Sequence, residues 1–159
     1  MPLQIGDRAP DFTLPARPKE TVSLRDLIGS QPVVLLFFPL AYSSVCTAEI
    51  CGVAEDYSAY RDLGANVVGI SVDSPFVTQK FAEDCKAPFP ILSDFNKEVI
   101  ERYGVLREEL AGLRGVSNRA AFVVDRDGVI AYAWMSENPA DMPPFDEIKE
   151  ALRKLGAAG

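Results

Sequence analysis

The unbroken apolar run Val33-Val34-Leu35-Leu36-Phe37-Phe38 is rich in β-branched and aromatic side chains and lies between Pro32 and Pro39. A strand without polar alternation is one buried on both faces, as in a parallel sheet. Val67-Val68-Gly69-Ile70-Ser71-Val72 repeats the pattern and predicts a second buried strand. Ala120-Ala121-Phe122-Val123-Val124 and Val129-Ile130-Ala131-Tyr132-Ala133-Trp134, joined across Asp125-Arg126-Asp127-Gly128, predict a hairpin.

Helical patterns fill the gaps. An amphipathic stretch from about Val45 to Leu63 ends at Gly64. Asp73-Ser74-Pro75 reads as an N-cap followed by proline at the first helical position, opening a helix that carries Phe76, Lys80, Phe81 and Cys85. Lys97 to Tyr103 predicts a shorter helix stopped by Gly104, and Phe145 to Leu155 one with Phe145, Ile148, Leu152 and Leu155 on a single face. The order is strand-helix-strand-helix, then a hairpin and a final helix. It describes an α/β chain of thioredoxin type, a central mixed β-sheet with helices on both faces. Strand adjacency is not visible in the pattern.

Composition narrows the class. With 159 residues, 48% hydrophobic and 25% charged, the chain is expected to fold as one globular domain over 1–159. Sixteen Lys and Arg against 23 Asp and Glu give a net charge of −7. Such a chain repels phosphate backbones and anionic membranes, so neither nucleic acid nor a membrane surface is an expected partner. The chain contains no histidine, which removes Ser-His-Asp and Cys-His catalysis and every His-ligated metal site. No metal or other cofactor is expected; Asp125-Arg126-Asp127 is more simply a hairpin turn.

The three cysteines form an odd set, unlike a disulfide-framed secreted domain. Met1 to Asp7 lacks a basic region followed by an apolar one, so no signal peptide is expected. No run reaches the ~20 apolar residues of a membrane span. The expected compartment is the reducing cytoplasm, with all three thiols initially reduced.

Cys46 follows the Val33–Phe38 strand and sits at the opening of the next helix. Ligands of open α/β sheets collect at the carboxyl ends of strands, and a helix N-terminus favours a thiolate. Position therefore makes Cys46 a candidate nucleophile, although buried packing is an equally simple use of a cysteine. Pro39, Ser43 and Cys46 make a Pro-x3-Ser-x2-Cys pattern across this turn. Pro39 stiffens the loop and adds no competing N–H. The Ser43 hydroxyl, one turn from the thiol, can donate to a bound oxygen or serve as a plain helix cap.

In these residues the chain resembles the peroxiredoxins, thiol peroxidases with a Pro-x3-Thr/Ser-x2-Cys signature. The resemblance extends over Gly6-Asp7-Arg8-Ala9-Pro10-Asp11-Phe12-Thr13-Leu14, Phe37-Phe38-Pro39, Phe89-Pro90-Ile91-Leu92-Ser93-Asp94, and Arg119 leading into Phe122-Val123-Val124-Asp125. It is nearest to the Q-type (bacterioferritin comigratory) and E-type branches, with Ser43 where threonine is commoner. The resemblance implies that Cys46 attacks a peroxide as thiolate and becomes sulfenic acid. It implies that Ser43 and Arg119 hold the peroxide oxygens, and that Glu49 orients the arginine. Taken alone, Arg119 would read as a surface ion-pair residue and Glu49 as a solvated helix residue.

The resemblance also implies a resolving thiol, and leaves three possibilities. Cys46-Thr47-Ala48-Glu49-Ile50-Cys51 is similar to the Cys-x4-Cys pair of the Q-type branch. An intact helix advances about 7.5 Å over five residues, more than the ~4.4–6.8 Å a disulfide tolerates between Cα atoms. A Cys46–Cys51 bond therefore needs the helix to unwind, and Gly52 weakens it there. Cys85 on the next helix is the second possibility, as in other Q-type relatives. An external thiol serving a one-cysteine enzyme is the third. The implied partners are a hydrogen peroxide or organic hydroperoxide substrate and a thioredoxin or glutaredoxin-like reductant. The implied assembly is a monomer or small homodimer; Ser136 to Asp141 resembles the E-type branch and favours the dimer. A non-catalytic redox sensor or holdase would use the same thiol. A thioredoxin-like disulfide reductase would use Cys-x2-Cys, a spacing absent from this chain.

Overall fold

The computed structural model describes residues 2–158. In chain order its elements are β1 (Thr13–Arg17), β2 (Glu20–Ser23), α1 (Leu24–Leu27), β3 (Val33–Phe37), α2 (Ser44–Glu55), α3 (Tyr57–Asp62), β4 (Asn66–Ser71) and α4 (Pro75–Asp84). There follow β5 (Ile91–Ser93), α5 (Glu98–Arg102), β6 (Leu106–Leu110), β7 (Leu113–Ser117), β8 (Arg119–Val124), β9 (Ile130–Ser136) and α6 (Phe145–Ala158).

The continuous apolar runs form the middle of the main sheet, whose strand order is β5-β4-β3-β8-β9. β3 pairs in parallel with β4 and antiparallel with β8, so the sheet is mixed. Every residue of β3 and of β8 is buried. Apolar side chains alternate to the two faces of the sheet and feed two cores. Leu35, Phe37 and Phe122 pack with Val99, Ile100 and Tyr103 from the α5 region on one side. Val34, Leu36 and Val123 pack with Ile50 and Val53 of α2, Phe81 of α4, and Ile148 and Leu152 of α6 on the other. This is the expected α/β, thioredoxin-like arrangement, with helices on both faces.

Local chemistry sets most element ends. The Ser74 side chain accepts from the Val77 N–H at the start of α4, and Pro75 follows at the first helical position. Gly104 closes α5 with φ +72°, a conformation glycine adopts without strain. Three expectations are corrected. The Val45–Leu63 stretch is two helices, interrupted at Asp56. α4 ends at Asp84, so Cys85 is its C-cap rather than part of its body. Two hairpins, β1-β2 and β6-β7, stand outside the main sheet and carry no run that announces them.

The register of the main sheet positions the site. β3 and β8 pair Phe37 with Ala120, so Arg119, one residue earlier in β8, lies at the carboxyl end of β3. Arg119 is also paired with Ser136 at the end of β9. The chain leaving β3 enters α2 through the loop that carries Pro39 and Ser43.

Candidate active site

α2 begins at Ser44, with Cys46 in its first turn. Its buried residues are Cys46, Glu49, Ile50 and Val53, the i, i+3, i+4, i+7 spacing of one helix face. Cys46 and Glu49 therefore point the same way, into the sheet end where Arg119 waits. Close approach of α2 to the sheet is helped by Gly69 of β4: a Cβ there would lie 3.3 Å from the Phe38 ring and 3.5 Å from Ile50 Cδ1.

Arg119 is 1% exposed and its guanidinium serves three partners. Nη1 donates to Glu49 Oε1 in a buried ion pair. Nη2 donates to Cys46 Sγ at 3.2 Å and to the Pro139 carbonyl at 3.0 Å. Cys46 is the free cysteine and has no solvent exposure. Glu49 is equally enclosed, and burial pushes its carboxyl up to about 7 although the charge of Arg119 pulls the other way. Burial disfavours the charge on Arg119, but the facing Glu49 and Cys46 hold its pKa above the ordinary value. Glu49 Oε2 and Arg119 Nε are buried without partners among the described residues. The surface ion-pair reading of Arg119 and the solvated reading of Glu49 are thereby excluded.

Pro39 is buried at the start of the loop. Ser43 is the N-cap residue of α2 by backbone geometry, yet its side chain makes no capping bond. Its hydroxyl donates instead to the Leu40 carbonyl at 2.9 Å, closing the loop on itself. Ser43 is exposed, and the first-turn N–H groups, Cys46 included, are left without a side-chain acceptor. Such a turn presents donors to an incoming oxygen.

Cys51 does not face Cys46. It is disulfide-bonded to Cys85, with Cα atoms 4.7 Å apart, and the bond ties α2 to the C-cap of α4. In this structure one cysteine is thus free and two are joined. Cys51 and Cys85, each expected as an alternative partner for Cys46, pair with each other instead. Nothing in the spacing signals it, because it depends on how α4 packs beside α2.

Two further contributors carried no signal as site residues. Asp73, read as part of a helix cap, has a carboxylate Oδ2 that accepts from the Ala41 N–H and from Ser71 Oγ, each at 2.7 Å. It anchors the loop between Pro39 and α2 to the end of β4. The Pro139 oxygen is a main-chain atom, invisible to any motif. Tyr42, in the same loop, has φ +70° and donates its hydroxyl to Asp84 Oδ2 at 2.7 Å. Its ring lies 5.0 Å from that of Phe81.

A buried sulfur faced by an arginine, at a helix start beyond the carboxyl end of a central strand, defines a thiol-redox enzyme of thioredoxin-like fold. Residues 5–133 match the AhpC/TSA family, and the chain belongs to it, making this protein a peroxiredoxin and thiol peroxidase. It is 36% identical over 157 residues to alkyl hydroperoxide reductase E of Mycobacterium tuberculosis, covering 98% of this chain and 99% of that one. It is also 36% identical over 135 residues to peroxiredoxin Bcp of Escherichia coli, covering 84% and 86%. The crystal structure of peroxidoxin BcpB from M. tuberculosis superposes with a TM-score of 0.83 at 32% identity, covering 99% of both chains. Relatives of both expected kinds are thus present, Bcp and alkyl hydroperoxide reductase E, beside a chloroplastic 2-cysteine peroxiredoxin of Chattonella marina that is 32% identical over 167 residues.

Proposed function

We propose that Cys46 is the peroxidatic cysteine of a single catalytic domain spanning 1–159. The observation that carries the reading is the 3.2 Å hydrogen bond from Arg119 Nη2 to Cys46 Sγ, in a chain without histidine. Arg119 sets a permanent cation beside the sulfur that must react as thiolate. The sulfur attacks the terminal oxygen of the peroxide; the O–O bond breaks, the alcohol or water leaves, and Cys46 becomes sulfenic acid. Arg119 and the first-turn N–H groups of α2 stabilise the oxygen that gathers charge. Glu49 positions Arg119, Pro39 keeps a competing N–H away from the sulfur, and the Ser43 hydroxyl turns from Leu40 to the peroxide on binding.

The substrates under this reading are hydrogen peroxide and organic hydroperoxides, and the electron donor is a thioredoxin or glutaredoxin-like protein. Alkyl hydroperoxide reductase E, by its name, acts on alkyl hydroperoxides, and Leu40, Ala41, Tyr42 and Val45 would offer an alkyl group an apolar rim. No helix among the described residues is long and apolar enough to cross a membrane. We place the enzyme in the cytoplasm as a monomer or small homodimer. The test is peroxide consumption with a recycling dithiol. Wild type should turn over many equivalents and Cys46→Ser none. Equal consumption by the two would end the reading, and a single equivalent without recycling would leave a sensor or holdase.

A further inference from the structure

Three cysteines are present where one thiol attacks and one resolves, and the folded structure joins the two that do not face the arginine. We propose that the chain is a three-cysteine relay, in which oxidation taken up by Cys46 passes through Cys51 and comes to rest as the Cys51–Cys85 disulfide. The relay rests on Cys46 as the peroxide-reactive thiol.

The chemistry closes in two exchanges. The Cys51 thiol attacks the sulfenic sulfur of Cys46; an S–S bond forms, the S–O bond breaks, and the hydroxyl leaves as water with the Cys51 proton. The Cys85 thiol, having given its proton to solvent, then attacks Cys51 Sγ. The Cys51–Cys85 bond forms, and the electron pair of the broken bond leaves on Cys46 as thiolate. Summed over the cycle, the peroxide is reduced by two electrons, the Cys51 and Cys85 thiols are oxidised by two, and Cys46 is returned to its starting state.

Two independent observations set the direction. The first is helix geometry. α2 is continuous from Ser44 to Glu55, and five residues of helix separate Cys46 from Cys51 by about 7.5 Å along the axis. A disulfide between them exists only while the turn is unwound. Rewinding α2 carries Cys51 back beside Cys85, where their Cα atoms are 4.7 Å apart. The folded helix therefore accepts the second disulfide and rejects the first. The second observation is the leaving group. In the folded site Cys46 Sγ receives a hydrogen bond from the Arg119 guanidinium, so the thiolate expelled in the second exchange returns to a cation.

Accessibility adds a purpose. Cys46 is sealed, whereas Cys51 is partly exposed. A protein reductant reaches the product disulfide at Cys51 without opening the peroxide site. Gly52 supplies the weak point for unwinding: it is exposed, and a Cβ there would meet nothing within 4 Å, so packing does not require glycine.

The test treats fully reduced, full-length protein with hydrogen peroxide in the absence of reductant. Samples are quenched at intervals with an alkylating agent, and the cysteine peptides are mapped. Wild type should consume two equivalents: the first yields Cys51–Cys85 with Cys46 free, the second a sulfenic acid on Cys46. A transient Cys46–Cys51 species should precede the first product. Cys85→Ser should stop after one equivalent as Cys46–Cys51. Gly52→Ala, which touches no reacting atom, should slow formation of Cys51–Cys85 about fivefold, the effect of firming a helix by about 1 kcal/mol. A wild-type endpoint of Cys46–Cys51 or Cys46–Cys85 overturns the relay, as does an unchanged rate in Gly52→Ala. Formation of Cys51–Cys85 at the wild-type rate in Cys46→Ser also overturns it. The peroxidatic role is read separately in the Cys51→Ser/Cys85→Ser double variant, by trapping the Cys46 sulfenic acid with a cyclic 1,3-dione. Trapping without a relay disulfide in wild type leaves that role standing and removes only the relay.

Discussion

Glu49 and Arg119, distant in sequence, meet as an ion pair with side chains 0% and 1% exposed, and the same guanidinium touches the sulfur of Cys46. Removing two charges from water costs several kcal/mol per ion, and a purely structural arginine would gain little from such a place. The pair holds one guanidinium edge while the other is presented to the sulfur of Cys46. Arg119→Lys should therefore slow Cys46 oxidation by two orders of magnitude or more. A single ammonium cannot satisfy Glu49, Cys46 and Pro139 in a planar fork. Stopped-flow measurement of the reaction with peroxide checks this. Arg119→Met removes the cation that pulls the Glu49 carboxyl down, so that carboxyl should keep its proton to higher pH than in wild type, as read by urea titrations across pH.

Glu49 gives the fold a pH signature. Its carboxyl is raised to about 7 when folded, against an ordinary value of 4.5. Between those two values the folded chain keeps a proton that the unfolded chain has released. Stability therefore falls as pH rises through this window, by up to about 1.4 kcal/mol per pH unit, and levels off above it. Glu49→Gln should remove that slope in urea titrations at pH 5 to 8. A slope that survives the substitution would assign it elsewhere.

Asp73 links the loop ahead of α2 to β4 through two hydrogen bonds on one carboxylate oxygen. Asp73→Ala strips acceptors from the Ala41 N–H and the Ser71 hydroxyl, which should cost about 1–3 kcal/mol. It should also slow Cys46 oxidation, since the loop that carries Ser43 loses its tether. Asp73→Asn, which retains an acceptor oxygen, should recover most of the stability. Thermal melts alongside peroxide kinetics separate the two effects.

The Cys51–Cys85 bond closes a segment with a sequence separation of 34. By chain entropy a loop of that size stabilises by about 3–4 kcal/mol. Reduction should lower the melting temperature by about 10 °C for a chain of this length. Differential scanning calorimetry with and without a reductant at fixed pH measures it, and Cys85→Ser should melt with the reduced form in either condition.

What the sequence made legible follows from what each element buries. β3, β4 and β8 lie in the sheet interior and show it as unbroken apolar runs, so their existence and the mixed α/β class could be read directly. α4 announced itself through Ser74 and Pro75. The strand Leu106-Arg107-Glu108-Glu109-Leu110 pairs only with β7 and exposes most of its residues, so no core imprints a period on it. The break at Asp56 is similarly hidden, because α2 and α3 both turn apolar residues to the same layer. Within the site, Cys46, Ser43, Arg119 and Glu49 were legible through a family pattern. Without it, Arg119 would have passed as a surface charge, since burial is set by the β3–β8 register rather than by its neighbours in sequence. The union of Cys51 with Cys85 and the tether at Asp73 are products of packing between distant elements, which spacing does not encode.

One partner of Arg119 has a different character from the rest. The Pro139 oxygen belongs to the main chain, and no exchange of side chain deletes a carbonyl. One of the restraints on the guanidinium is thus written into the path of the polypeptide after β9 rather than into the identity of a residue. Point substitutions across 137–141 can leave that restraint in place, whereas inserting or removing a single residue there shifts the oxygen and releases the arginine. At this corner of the enzyme, tolerance to change is a matter of length.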